Sequence, residues 1–245
     1  MIRLSVNVNK VATLRNSRGG RVPGVIEAVE ASLRAGAAGI TVHPRADRRH
    51  ITPDDVFDIA RALEGRPPSV EFNIEGDPRP DWLDLVSAVD PDQCTLVPVV
   101  AGEITSQAGW TRGALTAGLA GTITDLKRHG IRVSLFVEPT DDAIRLARDL
   151  GADRVELYTE PFARAFERGP EAARRSFDQY GEAARLAGAL GLGVNAGHDL
   201  DLHNLTLFRR LPGLAEVSIG HALMSRALFV GLETVVREYV AVLAG

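Results

Sequence analysis

Residues 132–160 read RVSLFVEPTDDAIRLARDLGADRVELYTE. An apolar, β-branched run over 132–140 gives way to a helical pattern over 141–150, and a second run follows over 154–159. The helix ends at Gly151, where glycine readily takes the left-handed backbone of a C-cap. A strand, a helix and a second strand in this order form a βαβ unit, which favours parallel pairing.

The same alternation extends in both directions. Apolar runs lie at 4–9 (LSVNVN), 39–44, 69–74 and 93–100 before this unit, and at 193–198 and 216–221 after it, making eight candidate strands in all. Helical patterns fall at 25–34, 53–63, 81–89, 115–129, 171–190, 205–211 and 223–243. Thr52 is placed to N-cap the helix at 53–63, with Pro53 at its first position. Eight βα repeats with no spare strand predict an α/β fold, a (β/α)8 barrel over residues 1–245 as one domain. A doubly wound open sheet is the rival, but it usually has fewer strands, and no GxGxxG follows the first run. The irregular stretch at 101–113 is either a lid or a solvated βα loop.

Composition narrows the function. Hydrophobic residues make up 45% and charged residues 24%, which excludes a disordered chain. A net charge of −4 gives no reason to expect nucleic acid or an anionic membrane as partner. No apolar stretch is long enough to span a bilayer, and a cytoplasmic protein is expected. The single cysteine, Cys94, excludes a disulfide framework and is expected to be buried. Lysine occurs only at positions 10 and 127, so Lys10 is the only candidate for a Schiff base.

A barrel of this kind carries its chemistry at the C-terminal ends of its strands. There the sequence places Asn7, Asn9 and Lys10 at the first strand, then His43, Arg45 and His50 at the second. Asn195 and His198 end the seventh strand, and Gly220 and His221 the eighth. Glu71 and Glu156 fall within apolar runs. A carboxylate there is costly to bury, so it pairs with an inward arginine, faces outward at a helix N-terminus, or works with a raised pKa as an acid–base group. Glycines beside His198 and His221 bring backbone amides to the last two strand ends, where barrels often hold phosphate. Arg15, Arg18, Arg45, Arg48 and Arg49 in the first two loops add cationic forks. A substrate bearing one or two phosphates is expected. Three readings fit: general acid–base chemistry on a phosphorylated carbonyl compound, a metal-dependent isomerase or aldolase using the same histidines, or a phosphate-binding barrel without catalysis.

The segments VNVNKVATLRNSRGG, GITVHPRADRRHIT, VNAGHDL and IGHALMSRALFVGL resemble the pyridoxine 5′-phosphate synthase family from the first strand to the last helix. The resemblance implies a (β/α)8 barrel with additional helices that assembles as a homo-octamer. It also implies condensation of 3-amino-2-oxopropyl phosphate with 1-deoxy-D-xylulose 5-phosphate, without metal or organic cofactor. Carried over by position, His43, Glu71 and His198 become acid–base residues and Glu156 a carboxylate supporting the transition state. Asn7, Arg18, Gly220 and His221 become contacts to the amino-ketone phosphate, and Arg45, His50 and Thr105 contacts to the sugar phosphate. The chain departs from the pattern at Asn9–Lys10, where many members carry Asp-His, and at Asp199, where many carry Gly. These three positions are expected to contact substrate in their own way.

Overall fold

The computed structural model describes residues 1–67, 70–98, 108–113 and 116–245. Eight parallel strands close into a barrel in sequence order: β1 (Arg3–Asn7), β2 (Gly39–Val42), β3 (Glu71–Gly76), β4 (Gln93–Leu96), β5 (Arg132–Val137), β6 (Arg154–Tyr158), β7 (Gly193–Gly197) and β8 (Leu214–Ile219). The ring closes through β1 and β8, with Leu4 opposite Val217 and Val6 opposite Ile219. The predicted architecture is therefore the observed one, and β7 and β8 carry a register shift at Val194/Asn195.

The eleven helices among the described residues are α1 (Asn9–Asn16), α2 (Val25–Arg34), α3 (Pro53–Leu63), α4 (Pro80–Val89), α5 (Leu119–Arg128), α6 (Asp141–Leu150), α7 (Glu160–Glu167), α8 (Pro170–Ala189), α9 (Leu205–Phe208), α10 (His221–Val230) and α11 (Leu232–Ala244). The bounds of α3 match expectation because Thr52 and Asp55 form a reciprocal capping box with Pro53 inside it. α6 starts at Thr140, whose side chain accepts from the Ala143 N–H, and stops at Gly151 with φ +85°.

α1 and α7 were not expected. In α1 only Val11 and Ala12 are buried, too little apolar periodicity to distinguish a helix from a loop. The single helix expected at 223–243 is two, because Gly231 takes φ +87° and turns the chain between α10 and α11.

The strands alternate in a way that sets the chemistry. Leu4, Val6, Ile40, Val42, Phe72 and Ile74 are buried in one continuous apolar core with the helices. Their neighbours form polar contacts. Arg3 of β1 and Arg132 of β5 both reach Glu71 of β3, at 3.4 and 2.5 Å. Side chains of nonadjacent strands can meet this way only inside the barrel. Alternate strands sharing one interior layer is the packing rule of the fold, although the layer here is ionic rather than aliphatic. One layer up, Ser5, Thr41, Asn73 and Thr95 are linked by hydrogen bonds of 2.6 to 3.3 Å. Above them lies the C-terminal mouth.

Candidate active site

A cavity of about 430 Å³ opens at the C-terminal mouth. Its lining includes Asn7, Asn9, Lys10, His43, Arg45, His50, Glu156, His198, Asp199, Gly220 and His221, all anticipated from sequence. It also includes Arg49, expected as one of the cationic forks, and Thr13, Glu75, Val97, Leu200 and Ser218, which were not singled out as site residues.

Several anticipated residues lie elsewhere: Arg15 is bound to Asp55, Asn195 accepts from Arg154, Arg48 is exposed, and Glu71 and Arg18 are also off the cavity. Glu71 opens β3 at the N-terminal mouth of the barrel, where Arg3 and Arg132 bind its carboxylate. Pairing with inward arginines, one of the alternatives for a strand carboxylate, is thus what it does. The expected strand at 69–74 is displaced to 71–76, and a shift of two residues keeps every side chain on its face but lowers it by one layer. Glu75 takes the place assigned to Glu71. It has the same parity and sits just before the Gly76–Asp77–Pro78 turn, a signal that could have identified it. Arg18 follows the end of α1, is exposed and does not line the cavity. Thr105 lies outside the described residues.

Most of the loop expected as a lid also lies outside them, but its far end is fixed. Trp110 is buried, its backbone N–H bonds to Phe136 O and its indole to Leu96 O at 2.8 Å.

Several local structures aim the polar groups. Asn7 accepts the Asn9 N–H at 3.1 Å and donates to Glu75 Oε2 at 3.5 Å. Asn9 accepts the His43 backbone N–H at 2.9 Å, fixing the end of β2. His43 Nδ1 lies 3.7 Å from Glu75 Oε2. A Cβ at Gly197, in the Asn195–Ala196–Gly197–His198 run, would meet Glu156 Oε1 at 2.7 Å and Ser218 O at 3.0 Å, so a larger residue there would displace the Glu156 carboxyl. His198 and Asp199 both adopt left-handed backbone, φ +71° and +55°. Non-glycine residues pay a conformational cost there, and such strain concentrates at functional sites. Thr159 Oγ1 donates to His198 O and Asn204 Nδ2 to Asp199 O, which hold the turn. The His198 ring packs on Phe136 and Tyr158, with centroids 4.9 and 5.8 Å away.

The electrostatics follow from burial. Glu75 is 6% exposed, and desolvation pushes its carboxyl up to about 8, opposed by the Asn7 hydrogen bond. Desolvation, with the nearby charge of Glu75, holds Glu156 well above the usual carboxylate range. His43 is held well below 6.5 by burial first and then by His50, Arg45, Arg79 and His198. His50 falls to about 4 through burial and the positive charges of Lys10 and Arg45. Burial also lowers His198, partly countered by Asp199. At neutral pH the site therefore holds neutral imidazoles beside protonatable carboxyls. His43 Nε2, His50 Nδ1 and His198 Nδ1 are buried without a hydrogen-bond partner among the described residues. Lys10, Arg45 and Arg49 supply cations, and the N-terminus of α10 opens on the cavity at Gly220–Ala222. Among the described residues no group of three or more His, Cys, Asp or Glu side chains is placed to share a metal ion.

Comparison with known proteins identifies what the geometry serves. The chain resembles the pyridoxine 5′-phosphate synthase of Leptospira biflexa, at 49% identity over 254 residues, covering 100% of this chain and 98% of that one. It is 50% identical over 240 residues to the pyridoxine 5′-phosphate synthase of Bacteroides fragilis, covering 98% of each. Among solved structures it shares the barrel of thiamine phosphate pyrophosphorylase from Pyrococcus furiosus, with a TM-score of 0.61 at 14% identity over 99% of this chain and 96% of that one. The phosphoribosyl anthranilate isomerase of Thermus thermophilus gives 0.61 at 15%, covering 99% and 98%. These two likenesses concern the fold alone. The family model for pyridoxal phosphate biosynthesis protein PdxJ matches residues 4–245, and the chain belongs to this family of pyridoxine 5′-phosphate synthases.

Proposed function

We propose that this enzyme condenses 3-amino-2-oxopropyl phosphate with 1-deoxy-D-xylulose 5-phosphate, releasing pyridoxine 5′-phosphate, inorganic phosphate and water. The observation that carries the reading is the His43–Glu75 pair, 3.7 Å apart, sharing one cavity with Glu156 and His198. The amine of one substrate attacks the ketone of the other, so the imine forms between substrates and needs no enzyme lysine. Dehydration, loss of one phosphate and ring closure then each move a proton. A carboxyl titrating near 8 and neutral imidazoles are suited to give and take protons near pH 7. Glu75, rather than Glu71, acts as the carboxylate partner of His43. His198 donates or accepts at a second substrate oxygen, and Glu156, its carboxyl held well above the usual range, supports the transition state by a hydrogen bond or proton transfer to the substrate. Lys10, Arg45, Arg49 and His50 bind one phosphate, and the α10 N-terminus with His221 binds another.

Leu14 (50% exposed) and Leu228 (72%) line one open apolar pocket, and Val22 (81%) and Phe229 (88%) are exposed as well; this exposed apolar area supports assembly of several copies, in the octamer the resemblance implies. No helix among the described residues is long and apolar enough to cross a membrane, consistent with a cytoplasmic enzyme.

The test is direct. Purified protein is supplied with both phosphorylated substrates, and pyridoxine phosphate is followed by its absorbance together with phosphate release. Turnover that requires both substrates and is lost in His43→Asn is expected. Failure to form product from this pair would refute the substrate assignment.

A further inference from the structure

The backbone pairing of β2 with β3 stops at Val42 and Ile74, one residue short of His43 and Glu75. Glu75 stays in the ladder with β4, and Asn9 holds the His43 N–H; the direct tie between the two loops beyond the β2–β3 ladder is a clamp formed by the residues that follow β3. Arg79, the N-cap residue of α4, donates from Nη2 to Pro44 O at 2.7 Å, the carbonyl next after His43. Its Nη1 donates to Asp77 Oδ1 at 2.6 Å, and its Nε lies 2.9 Å from Asp81 Oδ1. The guanidinium is thus held on its own loop by two carboxylates while it grips the other loop. Glu75 is fixed from the same side, because the fully buried Trp82 donates its indole N–H to Glu75 O at 3.1 Å. Gly76 admits that indole, since a Cβ there would come within 2.2 Å of Trp82 Nε1.

We propose that Arg79 is a positioning residue that sets the separation of His43 from Glu75 by tying the residues after β2 to the β3–α4 loop. It stands outside the cavity lining. The inference rests on the reading of His43 and Glu75 as the proton-transfer pair. A planar fork can bond Pro44 O and Asp77 together, whereas a lysine ammonium in its place keeps the charge but loses the two-armed geometry. Charge enters separately. The groups acting on the His43 ring are Glu75 of β3, Arg45 and His50 of its own loop, His198 at the end of β7, and Arg79, whose positive charge helps to keep the imidazole neutral.

Arg79→Ala and Arg79→Lys are compared with the wild type by steady-state kinetics, thermal unfolding and NMR titration of labelled histidine, with His43 assigned by its loss in His43→Asn. In both variants kcat is expected to fall by about ten- to a hundredfold with KM within about twofold, because misplacement of reacting groups acts on the chemical step. The His43 titration moves to higher pH in Arg79→Ala and stays near the wild-type position in Arg79→Lys. Wild-type kcat in either folded variant overturns the proposal, and so does a loss that merely follows the unfolded fraction or that falls on KM alone. Glu75→Gln and His43→Asn measured in parallel judge the underlying reading. If they turn over normally that reading fails, whatever the Arg79 variants do.

Discussion

Two glutamates four residues apart on one strand should respond to the same substitution in opposite ways. Glu71 is 3% exposed and its carboxylate is held by Arg132 at 2.5 Å and Arg3 at 3.4 Å, each arginine side chain about a third exposed. Removing one partner of a buried ion pair costs about 3–5 kcal/mol. Solvent screening of the arginines, and the acceptor oxygen that glutamine keeps, reduce this to about 2 kcal/mol for Glu71→Gln. In a domain of this size that lowers the unfolding temperature by about 4–8 °C. Turnover at 25 °C stays close to wild type, because nothing at the C-terminal mouth has changed. Glu75→Gln removes a transferable proton from the cavity and lowers kcat by about 10²–10⁴-fold. Its fold is not weakened. Burial raises the Glu75 carboxyl from 4.5 to about 8, so the folded state holds a proton that the unfolded state releases between those pH values. Stability therefore declines as pH rises through this window, and glutamine escapes that decline. The assay pairs product formation with urea unfolding at pH 6 and pH 8.5. A folded Glu71→Gln enzyme as inactive as Glu75→Gln would refute the placement of the two carboxylates.

Two further predictions concern the imidazoles. His50 ionises near 4 when folded and near 6.5 when unfolded, so the unfolded chain binds the extra proton between these values and stability falls as pH drops from 6.5 toward 4. His50→Gln should flatten this slope in urea titrations, and an unchanged slope would contradict it. Asp199→Gly keeps the left-handed turn at no steric cost. It also removes the charge that props up the His198 imidazole, whose NMR titration should move further down, and an upward move would be incompatible with the site as described.

The barrel was legible where local chemistry punctuates the chain. The 141–150 helix between two apolar runs, the Thr52–Pro53 start of α3 and the glycine stops all mark boundaries that tertiary packing has no reason to move. α1 was not legible, since it buries only Val11 and Ala12 and carries little periodicity, whereas α7 buries Phe162, Ala163 and Ala165 and its apolar pattern, together with Pro161 in its first turn, could have marked it. The break at Gly231 is hidden in an apolar stretch in which only the backbone angle distinguishes a turn from a continuing helix.

The site shows a subtler limit. Strand periodicity reports which face a side chain occupies, and in β3 residues 71, 73 and 75 share the inward face. It does not report height along the barrel axis, because a displacement of two residues leaves the alternation of buried apolar and inward polar positions intact. Height decides function here. Glu71 at the N-terminal mouth meets Arg3 and Arg132 in ion pairs, whereas Glu75 at the C-terminal mouth faces an open cavity, where burial holds its carboxyl up to about 8. The information that resolves height is the position of the turn. Gly76–Asp77–Pro78 ends β3, so the last inward residue before it must face the substrate side. Counting back from the turn, rather than outward from the middle of an apolar run, places Glu75 beside His43.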